Sequence, residues 1–303
     1  MVESPQAFKE FSMQFIQRVL RTVGRIGCAA CVAAVIVACR PAPGAPDAPS
    51  VGMPGSSAPP AALQTPGSHI SAAATANPSP TNKWELWLNG PHLRGANIYR
   101  WRVYPELVGE DFMGPGPTGP PYTLDDFKRL AALGANYVNI SQPGLFTEKP
   151  PFALDPDMQA ALDQSLELAR QADLFAVISA RSGPGRSEFS FYFGRPHSWF
   201  DDSYYNDTIW TDPAAQEAWA AMWRYTAERY RDNPIVVGYD LMVEPNCNSV
   251  CFSEWEEDRF FPRVRGTRYD WSALAARVTA AIRQVDPETP ILVGGEGYSR
   301  VDW

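Results

Sequence analysis

From Lys83 to Trp303, apolar residues follow two alternating rhythms. Short runs that are apolar throughout alternate with longer stretches whose apolar positions return every three to four residues, the spacing of one helix face. "WELWLNGPHLRGANIY" predicts a short hairpin turning at Asn89-Gly90, then a strand through Leu93 to Tyr99. "TLDDFKRLAALGA" predicts a helix: Thr123 and Asp126 stand as a capping box, Phe127, Leu130 and Leu133 form its stripe, and Gly134 stops it. "NYVNIS" follows as a strand. The next helix, "DMQAALDQSLELARQAD", has Leu162, Leu166 and Ala169 on one face and leads to the strand "LFAVISA". "DPAAQEAWAAMWRYTAERY" then places Pro213 in a first turn after Asp212, with Trp219, Met222, Trp223 and Tyr230 facing a core. It leads to the strand "IVVGYDLMV". Finally "WSALAARVTAAIRQV" runs through "DPETP" to the strand "ILVGG".

Five wholly apolar strands separated by four amphipathic helices imply a parallel sheet covered on its faces. An open doubly wound sheet and a (β/α)8 TIM barrel both satisfy that pattern. No GxGxxG follows the first strand, so dinucleotide binding has no support. Polar and aromatic residues gather just after strand ends instead: Asn97 to Trp101, Asn139 to Gln142, Arg181 to Glu188, Glu244 to Asn248, and Glu296 to Tyr298. A barrel builds its site at that face, from the βα loops. The fold class is therefore α/β, a TIM barrel represented by about five βα units, fewer than the eight that close one.

The first eighty residues have another character. Arg18, Arg21 and Arg25 precede the short apolar run "IGCAACVAAVIVA", which ends at Cys39. A basic segment followed by a short apolar one reads as an export signal over residues 1–39, and Met13 is a candidate true start. "IVAC" resembles a bacterial lipobox, which marks Cys39 for lipidation; the other reading is an ordinary signal cleaved further on. Residues 40–82 are Pro-, Ala-, Gly- and Ser-rich and form a disordered linker, since they cannot bury enough apolar surface to offset their ordering entropy. The expected layout is thus signal, linker and a partial barrel over 83–303, in an exported bacterial protein at the cell envelope or outside it. A lipid at Cys39 would add the membrane as a partner.

Composition narrows the function. A net charge of −8 disfavours nucleic acid. Three histidines, none at HExxH spacing, disfavour a zinc hydrolase, and neither metal nor cofactor is expected. Cys247 and Cys251 flank "NSV"; in an exported protein a local disulfide is expected, with a metal site or free thiols as the other readings.

"LRGANIY", "LAALGANYVNIS", "ERYRDNPIVVGYDLMVEPN" and "IRQVDPETPILVGGEGY" resemble glycoside hydrolase family 5, the cellulase and mannanase family of clan A, in consistent order from about Trp84 to Trp303. The resemblance implies cleavage of a β-linked glycan by a retaining pair of carboxylates. It makes Glu244, at the fourth strand's end, the general acid/base, with the nucleophile Glu on a seventh strand expected beyond Trp303. An acid/base must first protonate the leaving oxygen and later deprotonate water. Pro245, with its fixed φ, stiffens the exit from the strand. Three positions depart from the family pattern: Val243 stands where Asn is usual, Asn139 where a strand-end Arg is usual, and Arg181 where a His is usual. A non-catalytic carbohydrate-binding barrel therefore stays open as the alternative.

Other candidate substrate contacts are Asn97, Trp101, Asn139, Arg181, Asn246, Glu296 and Tyr298. Glu296 also reads as a loop-fixing residue rather than a nucleophile. The loop aromatics Trp101, Trp199, Tyr204, Tyr205 and Trp210 could stack on sugar faces or fold onto the rim. The lipobox is tested in a bacterial host. Metabolic labelling with a fatty acid should mark the chain, and Cys39→Ala should abolish the label and move the protein from the detergent phase to the aqueous one.

Overall fold

A computed structural model describes residues 82–104, 114–191, 202–247 and 257–299. The export signal with Cys39, all of the linker up to residue 81, Trp199 and Cys251 lie outside the described residues.

Five strands form one parallel sheet: β1 (Gly95–Tyr99), β4 (Tyr137–Gln142), β5 (Phe175–Ala180), β6 (Val236–Asp240) and β7 (Ile291–Leu292), adjacent in chain order. Between β1 and β4 lies a small antiparallel pair, β2 (Trp101–Arg102) with β3 (Thr118–Gly119). Helices α2 (Leu124–Ala132), α3 (Pro156–Gln171), α4 (Pro213–Tyr230) and α6 (Trp271–Arg283) supply the crossovers. Sequential parallel neighbours joined by helices are successive βα units of a (β/α)8 barrel.

Both sheet faces are covered. Ala176, Ile178 and Ala180 join the main core with Leu162, Leu166, Trp219 and Trp223 of the helices. Phe175, Val177 and Val237 form a second cluster on the opposite face. This two-sided burial is why every residue of β5 is buried and all but Ser179 are apolar, rather than alternating with polar ones. Sequence punctuation holds as expected at the helix ends. Thr123 and Asp126 make a full capping box, and Asp155 and Asp212 cap α3 and α4 ahead of Pro156 and Pro213.

The expected hairpin at 84–90 is instead a helix, α1 (Lys83–Leu88). Asn82 caps it through Trp84 N, Leu86 is buried against Phe175, Val177 and Val237, and Trp87 Nε1 donates to Val237 O at 2.8 Å. A strand would place Trp84, Leu86 and Leu88 on one face; here only Leu86 needs burial, and Leu88 is 71% exposed. The stripe of α2 is narrower than expected too. Phe127 is buried and Leu130 partly so, whereas Leu133, past the last turn, is 86% exposed. A further helix, α5 (Glu257–Val264), and the β2–β3 pair had no counterpart in the periodicity.

Tyr239, on the helix side of β6, donates to Asp286 Oδ2 at 2.9 Å. Asp286 Oδ1 in turn accepts from Glu288 N and Thr289 N, so "DPETP" is a turn tied to the fourth barrel strand. In urea unfolding, Phe127→Ala should cost about 3–5 kcal/mol. Leu133→Ser should stay within about 0.5 kcal/mol of the parent.

Candidate active site

Beyond β6 the chain keeps bonding to its neighbours: Leu241 N donates to Leu292 O, and Val243 N to Ala180 O. Trp219 and Trp223 both point their indole N–H at Leu241 O, at 3.3 and 2.9 Å. Two tryptophans of α4 thereby fix the approach to Glu244. At Glu244 itself φ turns to +49°, a left-handed conformation that costs a residue with a Cβ roughly 1–2 kcal/mol. Its side chain is exposed at the C-terminal edge of the sheet.

The turn that follows is held from both sides. Asn246, 1% exposed, donates from Nδ2 to Glu244 O at 3.0 Å. Tyr298 N donates to Pro245 O at 3.1 Å, and Cys247 N donates to Glu296 Oε1 at 2.8 Å. Cys247 is disulfide-bonded. Glu296 is buried, and burial pushes its carboxyl up to about 8. Buried and committed to the Cys247 N–H, it suits a loop fastener and not a nucleophile.

The other candidates divide by depth. Arg181, at the end of β5, lies 4.2 Å over the Tyr99 ring and pairs with the fully buried Glu188 at 3.2 Å. Ser182 Oγ donates to Glu188 as well. Nearby, Arg102 meets Asp155 at 2.8 Å and Glu148 at 3.6 Å, and Tyr104 OH donates to Glu148 at 3.2 Å. Burial raises Glu188 and lifts Glu148 to about 7. Tyr104, Phe189 and Tyr204 pack into one aromatic triangle, with centroids 5.2 to 5.8 Å apart. Sequence reasoning assigned no role to Tyr104, Glu148 or Arg186, whose partners lie far along the chain.

Asn139 faces inward one level below the strand end, where Ser179 Oγ sits 2.8 Å from its Oδ1 and 2.6 Å from Asp240 Oδ2. It belongs to an interior polar layer rather than to the rim. Asn97 is its register partner on β1 and is exposed. Trp101 is 9% exposed, beside Tyr99. Trp210 is fully buried against Trp271 and is core, not platform.

Parallel strands joined by helices, with carboxylates, an arginine and aromatics gathered at their C-terminal ends, define a βα-barrel protein. The cellulase profile of glycosyl hydrolase family 5 matches residues 109–302, and the chain belongs to that family. It is 28% identical over 138 residues to an endoglucanase of Paenibacillus polymyxa, covering 46% of this chain and 28% of that one. It is 22% identical over 185 residues to endoglucanase C of Acetivibrio thermocellus, covering 59% and 44%. The chain thus spans less than half the length of these curated relatives. Among solved structures, a glycoside hydrolase aligns at 21% identity and TM-score 0.48, over 68% of this chain and 54% of that one. Endoglucanase Cel5A of Thermotoga maritima aligns at 18% identity and TM-score 0.45, over 69% and 53%.

Among the described residues burial raises Glu188 and four further carboxyls: Asp240 to about 6, Glu148 and Asp207 to about 7, and Glu296 to about 8. Each binds its proton more tightly folded than unfolded, where carboxyls titrate near 4. Their contribution is complete below about pH 4 and is lost as pH rises through 6 to 8. Asp126, held below its usual range by the Thr123 N–H, acts oppositely and favours folding above its own titration. Stability should peak between about pH 4 and 6, and Tm should fall by at least about 5 °C from pH 5 to 8.5. Glu296→Gln should remove the part of that fall nearest pH 8. A wild-type Tm that rises over this range contradicts the assignment of neutral buried carboxyls.

Proposed function

We propose that the protein is a retaining glycosidase acting on a β-linked glycan, with Glu244 as the general acid/base. The observation that carries the reading is the placement of Glu244. Its carboxyl is exposed on a turn fastened from two sides, at the C-terminal edge of the fourth barrel strand. A fixed carboxyl there can protonate a leaving glycosidic oxygen and later take a proton from water. In the family's pattern the nucleophile stands on a seventh strand, and the described residues contain five barrel strands. Glu296 does not replace it, being buried and engaged by the Cys247 N–H. The named relatives are endoglucanases, so a β-glucan is the substrate class to try first. Export through the residue 1–39 signal, with a lipid on Cys39, would place this chemistry at the cell envelope.

A second reading, a glycan-binding barrel without turnover, is favoured by Val243, which offers no amide to a sugar hydroxyl where the family has Asn. One experiment on the full-length chain separates them. Wild type should hydrolyse an aryl β-cellobioside, and Glu244→Gln should lower kcat by about 10²–10⁴-fold while cello-oligosaccharide binding persists. Turnover unchanged in Glu244→Gln refutes the acid/base assignment. Binding without turnover in the wild type selects the second reading.

A further inference from the structure

The guanidinium of Arg186 is completely buried. Such a charge costs several kcal/mol unless hydrogen bonds and opposite charge compensate it. Burial works against its charge and the neighbouring Arg181 adds to that, while the nearby carboxyls, Asp207 foremost, act in the other direction. Its hydrogen bonds go largely to backbone. Nη1 donates to Val243 O and Nη2 to Glu244 O, each at 2.9 Å, while Nε donates to Ser190 Oγ at 3.2 Å.

Those two carbonyls are a significant pair. Val243 O belongs to the peptide plane entering the Glu244 Cα, and Glu244 O to the plane leaving it. Holding both planes determines φ and ψ between them, and with them the direction of the Cα–Cβ bond. The rigid fork of a guanidinium can do this with one side chain, whereas an ammonium is a single point. The conformation so held is the left-handed one, φ +49°, which Glu244 would otherwise leave.

Arg186 is itself delivered by a fixed turn. Gly183 N bonds to Arg186 O and Arg186 N to Gly183 O, both at 2.8 Å. Gly185 within that turn has φ +72°, and a Cβ there would come within 2.6 Å of Ala215 Cβ and 2.7 Å of Ile209 N. Only glycine lets the turn sit this close to the start of α4.

We infer that Arg186 is a positioning residue for Glu244, clamping both of its peptide planes so that the carboxyl is aimed out of the strand end. The inference deepens, and rests on, the acid/base reading of Glu244. Backbone carbon chemical shifts of Glu244 in the full-length chain report its conformation without any turnover. Arg186→Met should move them from left-handed towards extended values, and Arg186→Lys should move them partway. Left-handed shifts kept in Arg186→Met overturn the inference; if that variant does not fold, shifts unchanged in Arg186→Lys do so. Turnover is read on two aryl β-cellobiosides, a dinitrophenyl one that leaves without a proton and a phenyl one that needs it. Arg186→Lys should lower kcat/KM, which reports the glycosylation step alone, about tenfold more on the phenyl glycoside than on the other. Equal losses on both substrates mean a general structural effect and overturn the inference. Glu244→Gln should show the same dependence on leaving group. If it does not, the acid/base reading falls, and the backbone clamp stands or falls on the chemical shifts alone.

Discussion

A parallel sheet can be closed only by connections that return the chain to the same end, and this constraint organises the whole molecule. Each of the five barrel strands hands its C-terminus to a loop at one edge and receives its N-terminus at the other. The edge near Trp87 and Leu86 is plugged by α1. The opposite edge collects Tyr99, Arg181, Glu188, Glu244 and Glu296, residues far apart in the chain. No residue there was placed by its own local preference. Each was placed by how many residues its strand contributes before the loop begins.

Among the described residues at that edge the carboxyls outnumber the cations that could neutralise them, and burial favours their protonated forms. Glu148, Asp207 and Glu296 sit where water is excluded and are raised towards or above neutrality. Arg181 and Arg186 answer part of the remaining charge. Glu244 is placed differently: its backbone is gripped by buried groups while its side chain stays exposed. Rigid backbone with an accessible carboxyl is the combination that the acid/base role proposed for Glu244 asks for.

The elements that were legible beforehand are those in which short-range chemistry and burial agree. Thr123 with Asp126, and Asp212 with Pro213, announced helices that the structure contains, and Trp219, Met222, Trp223 and Tyr230 lie in the core as their spacing implied. The segment around Trp84 was misread because three alternating apolar residues suit a strand. One contact, Leu86 against the inner sheet face, with Trp87 bonded to Val237, decides for a helix instead. Trp210 and Asn139 looked like site residues because they follow or end strands. Their depth, fixed by packing, makes one core and the other an interior hydrogen-bonding group.

By itself, the sequence determined the βα rhythm, the helix ends, the family and the position of Glu244 at a strand end. All of these depend on neighbours a few residues away or on a motif that survives in linear order. Only the tertiary structure decided how Glu244 is held. The left-handed φ, the fork of Arg186 from 57 and 58 residues away and the Glu296 carboxyl 49 residues beyond Cys247 are contacts across chain separations that no periodicity encodes. Such contacts exist because the sheet brings those loops to one edge, and their strength comes from the exclusion of water there.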